Sequence, residues 1–354
     1  MKEVDYLIVG QGLAGTWLSH YLLEAKKNIL VIDNFQENSA SNIASGVVNP
    51  ITGRKLVKSW QVDDLFPFAK KAYQALEKRL NQQFWHDKKI VWHIQDNALL
   101  NDFMGRSATL GYEKYIGTIG RKTDLKGFQP SLAYAEIEQA AQVNTKKMIA
   151  YYRRFLQENN LLIAEEMNYD ELDLEENGAV WRNIKAKKII FCEGYKMLKN
   201  PFFNYLPLTP VKGETLVIEA KNLKLHEKMS KGKRFIVPWQ KENQYWVGSS
   251  YIRKYENELP TENERNILIE DLENMINVPY KMLSHQAGIR PTNLHRKPFL
   301  GLHPKYKQIG IFNGLGTKGV SLSPFYAQHL VGFLEKQKTL QNEVNIDKYQ
   351  QLCK

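Results

Sequence analysis

At 354 residues the chain exceeds what a single hydrophobic core usually supports and has room for two domains. Its 43% hydrophobic and 25% charged residues suit an ordinary soluble protein, and no apolar run approaches the ~20 residues of a membrane span. Two cysteines, Cys192 and Cys353, exclude a disulfide framework and point to reducing cytoplasm, while the net charge of +11 reads as a solubilising basic surface or a face for an anionic partner such as RNA.

The chain enters a strand almost at once, over residues 6–9, leaving no room for a signal-peptide pattern. Gly10-Gln-Gly12-Leu-Ala-Gly15 follows, then a helix over residues 16–26, a strand over 29–32, and Asp33. Gly10 can take the φ/ψ of a tight turn. Gly12 lets a pyrophosphate approach the backbone, and Gly15 lets helix pack on strand. The helix start supplies unpaired N–H groups and the positive end of a dipole. Asp33 stands where a carboxylate accepts hydrogen bonds from an adenosine ribose. The unit reads as a dinucleotide site.

Residues 38–46 are small and can wrap closely around a cofactor. Val47-Val48 reads as a short strand, residues 63–83 as a long amphipathic helix, and residues 90–94 as a strand. Residues 95–128 lack periodicity and read as a loop-rich part of a second domain. Residues 135–157 read as one helix, followed by strands over 161–164, 178–181 and 187–194, the last ending at Gly194. Pro207 and Pro210 mark a boundary. Strands over 213–219, 235–239 and 244–250, the last two forming a hairpin, change the pattern to antiparallel sheet. A helix over 262–276 comes next, then Gly288-Ile-Arg290-Pro291 and a strand over 309–312. Gly314-Leu-Gly316-Thr317-Lys318-Gly319 then opens a helix over 320–335, a second glycine loop at a helix start.

Together these motifs resemble the D-amino-acid oxidase/glycine oxidase-like (DAO) family of FAD-dependent oxidoreductases, in order and spacing, over nearly the whole chain. Besides the two glycine loops, the resemblance uses residues 189–194, Pro210-Val-Lys-Gly213 and Gly288-Ile-Arg290-Pro291. It implies FAD as cofactor. Gly10, Gly12, Gly15 and Asp33 would hold pyrophosphate and ribose, with Ser45 and Gly46 beside the flavin and Gly194 at the strand closing over it. Gly314, Gly316, Thr317, Lys318 and Gly319 would lie beneath the isoalloxazine, where backbone N–H groups stabilise the reduced ring. Arg290 matches the arginine that grips a substrate carboxylate, for which a planar guanidinium is suited. Phe235 departs from the substrate-facing tyrosine of many relatives. The loop over 316–320, with Ser323-Pro324, is similar to the flavin domain of tRNA wobble-uridine-modifying enzymes.

The expected fold is α/β: a Rossmann-like FAD-binding domain of residues 1–60, 130–205 and 285–354, interleaved with an α+β substrate domain of residues 61–129 and 206–284 built on an antiparallel sheet. The expected activity is oxidation of the C–N bond of a small amino acid or N-substituted glycine by hydride transfer to flavin. The alternatives are modification of a tRNA wobble uridine and flavin binding without turnover. The histidines at 285, 295 and 303 have no metal-ligand spacing and read as structural or surface groups.

Overall fold

The strand Lys2–Val9 is buried over its apolar half because it lies inside a sheet covered on both faces. In this computed structural model, which describes residues 1–353, it pairs in parallel with Ile29–Ile32 on one side and Ile184–Phe191 on the other. Leu162–Ile163 extends the sheet past Ile29–Ile32, and Ile309–Asn313 joins Ile184–Phe191 in parallel. The eight-stranded sheet therefore unites segments from both ends of the chain. The helix Leu13–Glu24 is buried along nearly all its length, because one side meets this sheet and another meets the helix Gly319–Leu334. Its Trp17 is fully buried, stacked on Tyr21 and edge-on to Tyr73.

A second eight-stranded sheet runs in the order Lys281–Arg290, Val211–Glu219, Gln244–Gly248, Phe235–Pro238, Met229–Lys231, Ile90–Ile94, Ala133–Ile137, Ile116–Gly120. All neighbours are antiparallel except Met229–Lys231 against Ile90–Ile94. The helix Glu262–Glu273 covers the strand Val211–Glu219, with Thr261 as its N-cap.

Three expectations need correction. Residues 135–157 are not one helix. They form the strands Ala133–Ile137 and Ala141–Val143, and then the helix Thr145–Glu158, whose start is fixed by Asn144 accepting from the Lys147 N–H at 3.0 Å. Sheet pairing overrides the helix propensity of the Ala-Glu-Gln run. Residues 95–128 are loop-rich but not without regular structure. They hold the helix Asn97–Ser107, capped by Asp96, and the strand Ile116–Gly120. That helix buries only Phe103, so it shows little apolar periodicity. Finally, Ala133–Ile137 and most of Lys281–Arg290, placed by sequence on the cofactor side, pair in the second sheet. Among the described residues no helix is long and apolar enough to cross a membrane.

Candidate cofactor and substrate site

Between the two sheets lies an elongated cleft that reaches from Asp33 to Arg290. At its head the first strand ends in a turn that glycine alone fits. Gly10 has φ +99, and a Cβ there would sit 2.6 Å from the Cys192 carbonyl oxygen. Gly15 does not line the cleft. Its absent side chain admits the Gly10 carbonyl, which would lie 1.8 Å from a Cβ, so the helix packs directly on the turn. Gly12 is the N-cap of the helix Leu13–Glu24 and supplies no side-chain cap. Gly12 and Leu13 line the cleft, the Leu13 N–H donating to Ser41 Oγ at 3.2 Å, and the helix start turns its positive end toward the cleft, as a pyrophosphate requires.

Asp33 ends the second strand and lines the same cleft. Its Oδ2 accepts from the Gln11 N–H at 2.8 Å and its Oδ1 from the Phe35 N–H at 2.8 Å. Arg153, from the helix Thr145–Glu158, donates Nη1 to Oδ1 at 2.7 Å and Nη2 to the Asp33 carbonyl at 2.9 Å. The carboxylate is thus oriented by a residue the sequence reading did not single out. Arg153 lies against the Phe35 ring, 5.3 Å from its centroid.

Gly194, with φ +61, follows the strand Ile184–Phe191 and lines the cleft. Its carbonyl accepts from Asn313 Nδ2 at 2.8 Å, tying this turn to the C-terminal glycine loop. Beside it Glu193, also missed, is half-buried and accepts from the Tyr169 hydroxyl and, at 2.7 Å, from Asn200 Nδ2. Burial pushes its carboxyl up to about 7.

In the C-terminal loop Gly316, Thr317 and Gly319 face the cleft. The Gly316 N–H donates to the Pro291 carbonyl at 3.1 Å, anchoring the loop to the arginine strand. The helix Gly319–Leu334 begins without a side-chain cap, so a second helix start points into the cleft. Gly314 lies behind the lining, at φ +71, against Asn293 and Phe299. Lys318 turns its side chain away from the lining. Its Nζ donates to Ser59 Oγ at 2.9 Å and Thr52 Oγ1 at 3.5 Å, and burial pushes the ammonium down to about 8.

Ser45 and Gly46 are not brought to the cleft, although Ala44 is. The chain turns off there to pair with residues 141–143. Gln142 Nε2 donates to the Ser45 carbonyl at 3.2 Å, and the Val143 N–H to the Gly46 carbonyl at 2.9 Å. Ser45 lines a separate cavity with His86 and Gln142. Gly46, at φ +74, is packed so tightly that a Cβ would fall 1.7 Å from the Val143 carbonyl oxygen.

Arg290 ends the strand Lys281–Arg290 at the far end of the cleft. Its guanidinium lies across Gly213, where a Cβ would fall 1.9 Å from Nη2. Nη2 donates to Ser249 Oγ at 2.5 Å and Nη1 to the Ser250 carbonyl at 3.4 Å. No carboxylate among the described residues pairs with it, and burial pushes it down to about 10. Even a half-buried cation with only neutral partners gains from an anion that completes it. Phe235 does not line the cleft; it is half-buried, with the Lys231 Nζ 5.0 Å from its ring centroid. Of the histidines, His285 Nε2 lies 2.9 Å from Glu214 and His303 accepts from the Tyr306 N–H, both structural contacts. Among the described residues no group of His, Cys, Asp and Glu could hold a metal ion.

Two uncapped helix starts, a glycine turn and a fixed carboxylate on one elongated cleft fit a dinucleotide, and the arginine at its end fits an acid. Comparison with known proteins agrees. A family model described as FAD dependent oxidoreductase matches residues 5–332. Glycine oxidase from Geobacillus kaustophilus superposes with a TM-score of 0.82 at 17% identity, covering 99% of this chain and 98% of that one. Iminodiacetate oxidase from Chelativorans sp. BNC1 gives a TM-score of 0.77 at 19% identity, with 98% of each chain covered. Glycine oxidase from Bacillus cereus gives 0.77 at 17%, covering 95% of this chain and 96% of that one. At these identities the likeness is one of fold.

Proposed function

Because the chain belongs to the DAO family of FAD-dependent oxidoreductases, we propose that it oxidises the C–N bond of a small amino acid or N-substituted glycine. The observation that carries this substrate class is Arg290, a half-buried cation at the cleft's end with hydroxyl and carbonyl partners but no carboxylate among the described residues. The glycine oxidase and iminodiacetate oxidase folds, whose names denote small amines bearing carboxylates, support the same class.

The residues divide the work along the cleft. The turn at Gly10 and the helix start at Gly12 would hold the pyrophosphate of FAD, and Asp33, braced by Arg153, would accept from the adenosine ribose. Backbone N–H groups around Gly316, Thr317 and Gly319 would hold negative charge at the ring. FAD bound there supplies the acceptor for a hydride leaving the carbon next to nitrogen. Arg290 grips the substrate carboxylate with its planar fork and so fixes the adjacent C–H. Orientation is most of what such a transfer asks of the protein, and no acid-base dyad is required for it. Both cysteines are free, which supports a cytoplasmic site of action. Nothing in the family model or the compared structures speaks for a tRNA substrate.

The test is anaerobic bleaching of the FAD-loaded protein across a panel of amines and 2-hydroxy acids. Amines bearing a carboxylate should bleach it. Arg290→Leu should retain FAD yet lose roughly 2–4 kcal/mol of transition-state stabilisation, about 30- to 1,000-fold in kcat/KM, for acids only. Equal losses for acids and non-acids would refute the role of Arg290. Tight FAD without bleaching by any substrate would make the protein a flavin binder without turnover.

A further inference from the structure

Thr215 stands on the strand Val211–Glu219, two residues beyond Gly213 and so on the same face of the sheet, about 7 Å further along. That face is the cleft's, and Gly213, Thr215 and Arg290 all line it. Arg290 pairs with Val211, yet its guanidinium lies over Gly213, so the side chain runs along the strand toward Thr215. Its partner Ser249 follows Gly248, the residue opposite Thr215 on the next strand. The Thr215 methyl packs over Gly248, 3.0 Å from where a Cβ would sit, beside the Trp246 ring at the same distance.

Thr215 is only 2% exposed, and its Oγ1 has no hydrogen-bond partner. Among the described residues it is the one buried side-chain polar atom without a partner that lines this cleft. Its neighbours on the lining offer it nothing. Gly213 and Gly288 have no side chain, and Trp246 Nε1 donates to the Ile43 carbonyl at 3.0 Å. A buried hydroxyl left unbonded is destabilising, and a ligand in the cleft can complete it.

The hydroxyl hydrogen needs an acceptor. An amine nitrogen whose neighbouring C–H leaves as hydride must keep its lone pair for the forming C=N bond, so it is unsuited. A carboxylate has no hydrogen and about four acceptor sites, of which a guanidinium fork fills two. A carboxylate seated on Arg290 therefore has capacity left. With donors about 2.7–2.9 Å from its two oxygens, it can span the ~7 Å from Gly213 to Thr215.

We propose that Thr215 is a second anchor for the substrate carboxylate, its hydroxyl donating to an oxygen of the group that Arg290 holds. This rests on the proposed function and deepens it. A planar fork alone lets the acid tilt out of its plane. A third donor removes that freedom and holds the adjacent C–H at one angle to the flavin.

Thr215→Val removes the hydroxyl and keeps the shape, while Thr215→Ser keeps the hydroxyl. The probe is (methylthio)acetate, an unreactive thioether with one carboxylate and no nitrogen, titrated into FAD-loaded protein and followed by the flavin absorbance. Thr215→Val should weaken its binding about 10-fold or more, and Thr215→Ser less than about 3-fold. Because the hydroxyl is unbonded in the free protein, Thr215→Val should leave FAD content unchanged and should not lower the melting temperature of the cofactor-free protein. If the probe binds, depends on Arg290 and ignores Thr215→Val, the second anchor is refuted and the proposed function stands. If the probe fails to bind, or binds without regard to Arg290→Leu, the carboxylate reading of the cleft falls and the anchor with it. A lowered melting temperature, a loss of FAD, or a serine variant as weak as the valine one would each refute the anchor, by assigning Thr215 to packing, to the cofactor or to its methyl group.

Discussion

Gly213→Ala is the sharpest probe of how the site is built. Gly213 has no side chain because the Arg290 guanidinium occupies that space. An added Cβ would lie 1.9 Å from Nη2, 2.3 Å from Cζ and 2.4 Å from Nη1. The backbone of the strand Val211–Glu219 can accept alanine, so the clash must be relieved by moving the guanidinium, the free end of a long side chain. It is boxed by Ser249 and Ser250, so moving it breaks those bonds and takes the fork off its substrate position. Hydrogen bonds to a charged group contribute about 1.5–3 kcal/mol, so kcat/KM toward acid substrates should fall about 10- to 150-fold. FAD content and melting temperature should change little. The assay is steady-state kinetics on one acid amine and one non-acid amine, with flavin absorbance as the cofactor check. Unchanged kinetics on the acid would mean that the guanidinium position over Gly213 is not the productive one, and the argument from Arg290 would fail with it.

Asp33→Ala should weaken FAD binding by about 10- to 100-fold, because the ribose loses its acceptor and Arg153 its partner; flavin fluorescence titration reads this, and unchanged affinity would remove Asp33 from the cofactor site. Gly46→Ala places a Cβ 1.7 Å from the Val143 carbonyl oxygen at φ +74 and should cost about 2–3 kcal/mol of stability, seen as a lowered melting temperature. Normal melting would show that the segment can shift at little cost. Glu193 gives a pH signature in the protein stripped of cofactor. Its folded-state carboxyl is raised to about 7 from 4.5, so the folded protein keeps a proton that the unfolded chain has lost. The destabilisation is absent below 4.5, grows with rising pH and is complete above about 7. Glu193→Gln should flatten that part of the melting profile, and an unaltered slope would assign the pH dependence to other groups.

The first strand, turn, helix and acid were legible because each glycine answers a separate local requirement within a short stretch. The hairpin from Phe235 to Gly248 was legible for the same reason, since its alternation and turn are local. What escaped depended on distant partners. Arg153 braces Asp33 from 120 positions away, and nothing in the helix around it signals that duty. Gly213 was visible as part of a motif, but its role as a seat for Arg290 exists only once Val211 and Arg290 pair across strands. The strands Ala133–Ile137 and Ala141–Val143 were hidden by helix-forming residues, though Asn144 was a readable cap for the helix that follows. Lys318 belongs by position to the glycine loop, while its direction toward Ser59 is set by tertiary packing. Ser45 and Gly46 follow small residues that do line the cleft, and the turn separating them from it is imposed by Gln142 and Val143.

The strand Ile309–Asn313 and the helix Gly319–Leu334 complete a sheet and a helix pair begun by residues 2–24. During synthesis the amino-terminal glycine turn therefore emerges long before the wall that faces it. Contacts of such wide sequence separation form late and slowly, because the loop between them must first be closed. The nascent chain cannot present a finished cleft until nearly all of it has left the ribosome, so capture of FAD falls at the end of folding rather than guiding its start. Until then the helix Leu13–Glu24, apolar on nearly every side, lacks its cover, and the half-made protein is at its most prone to aggregate.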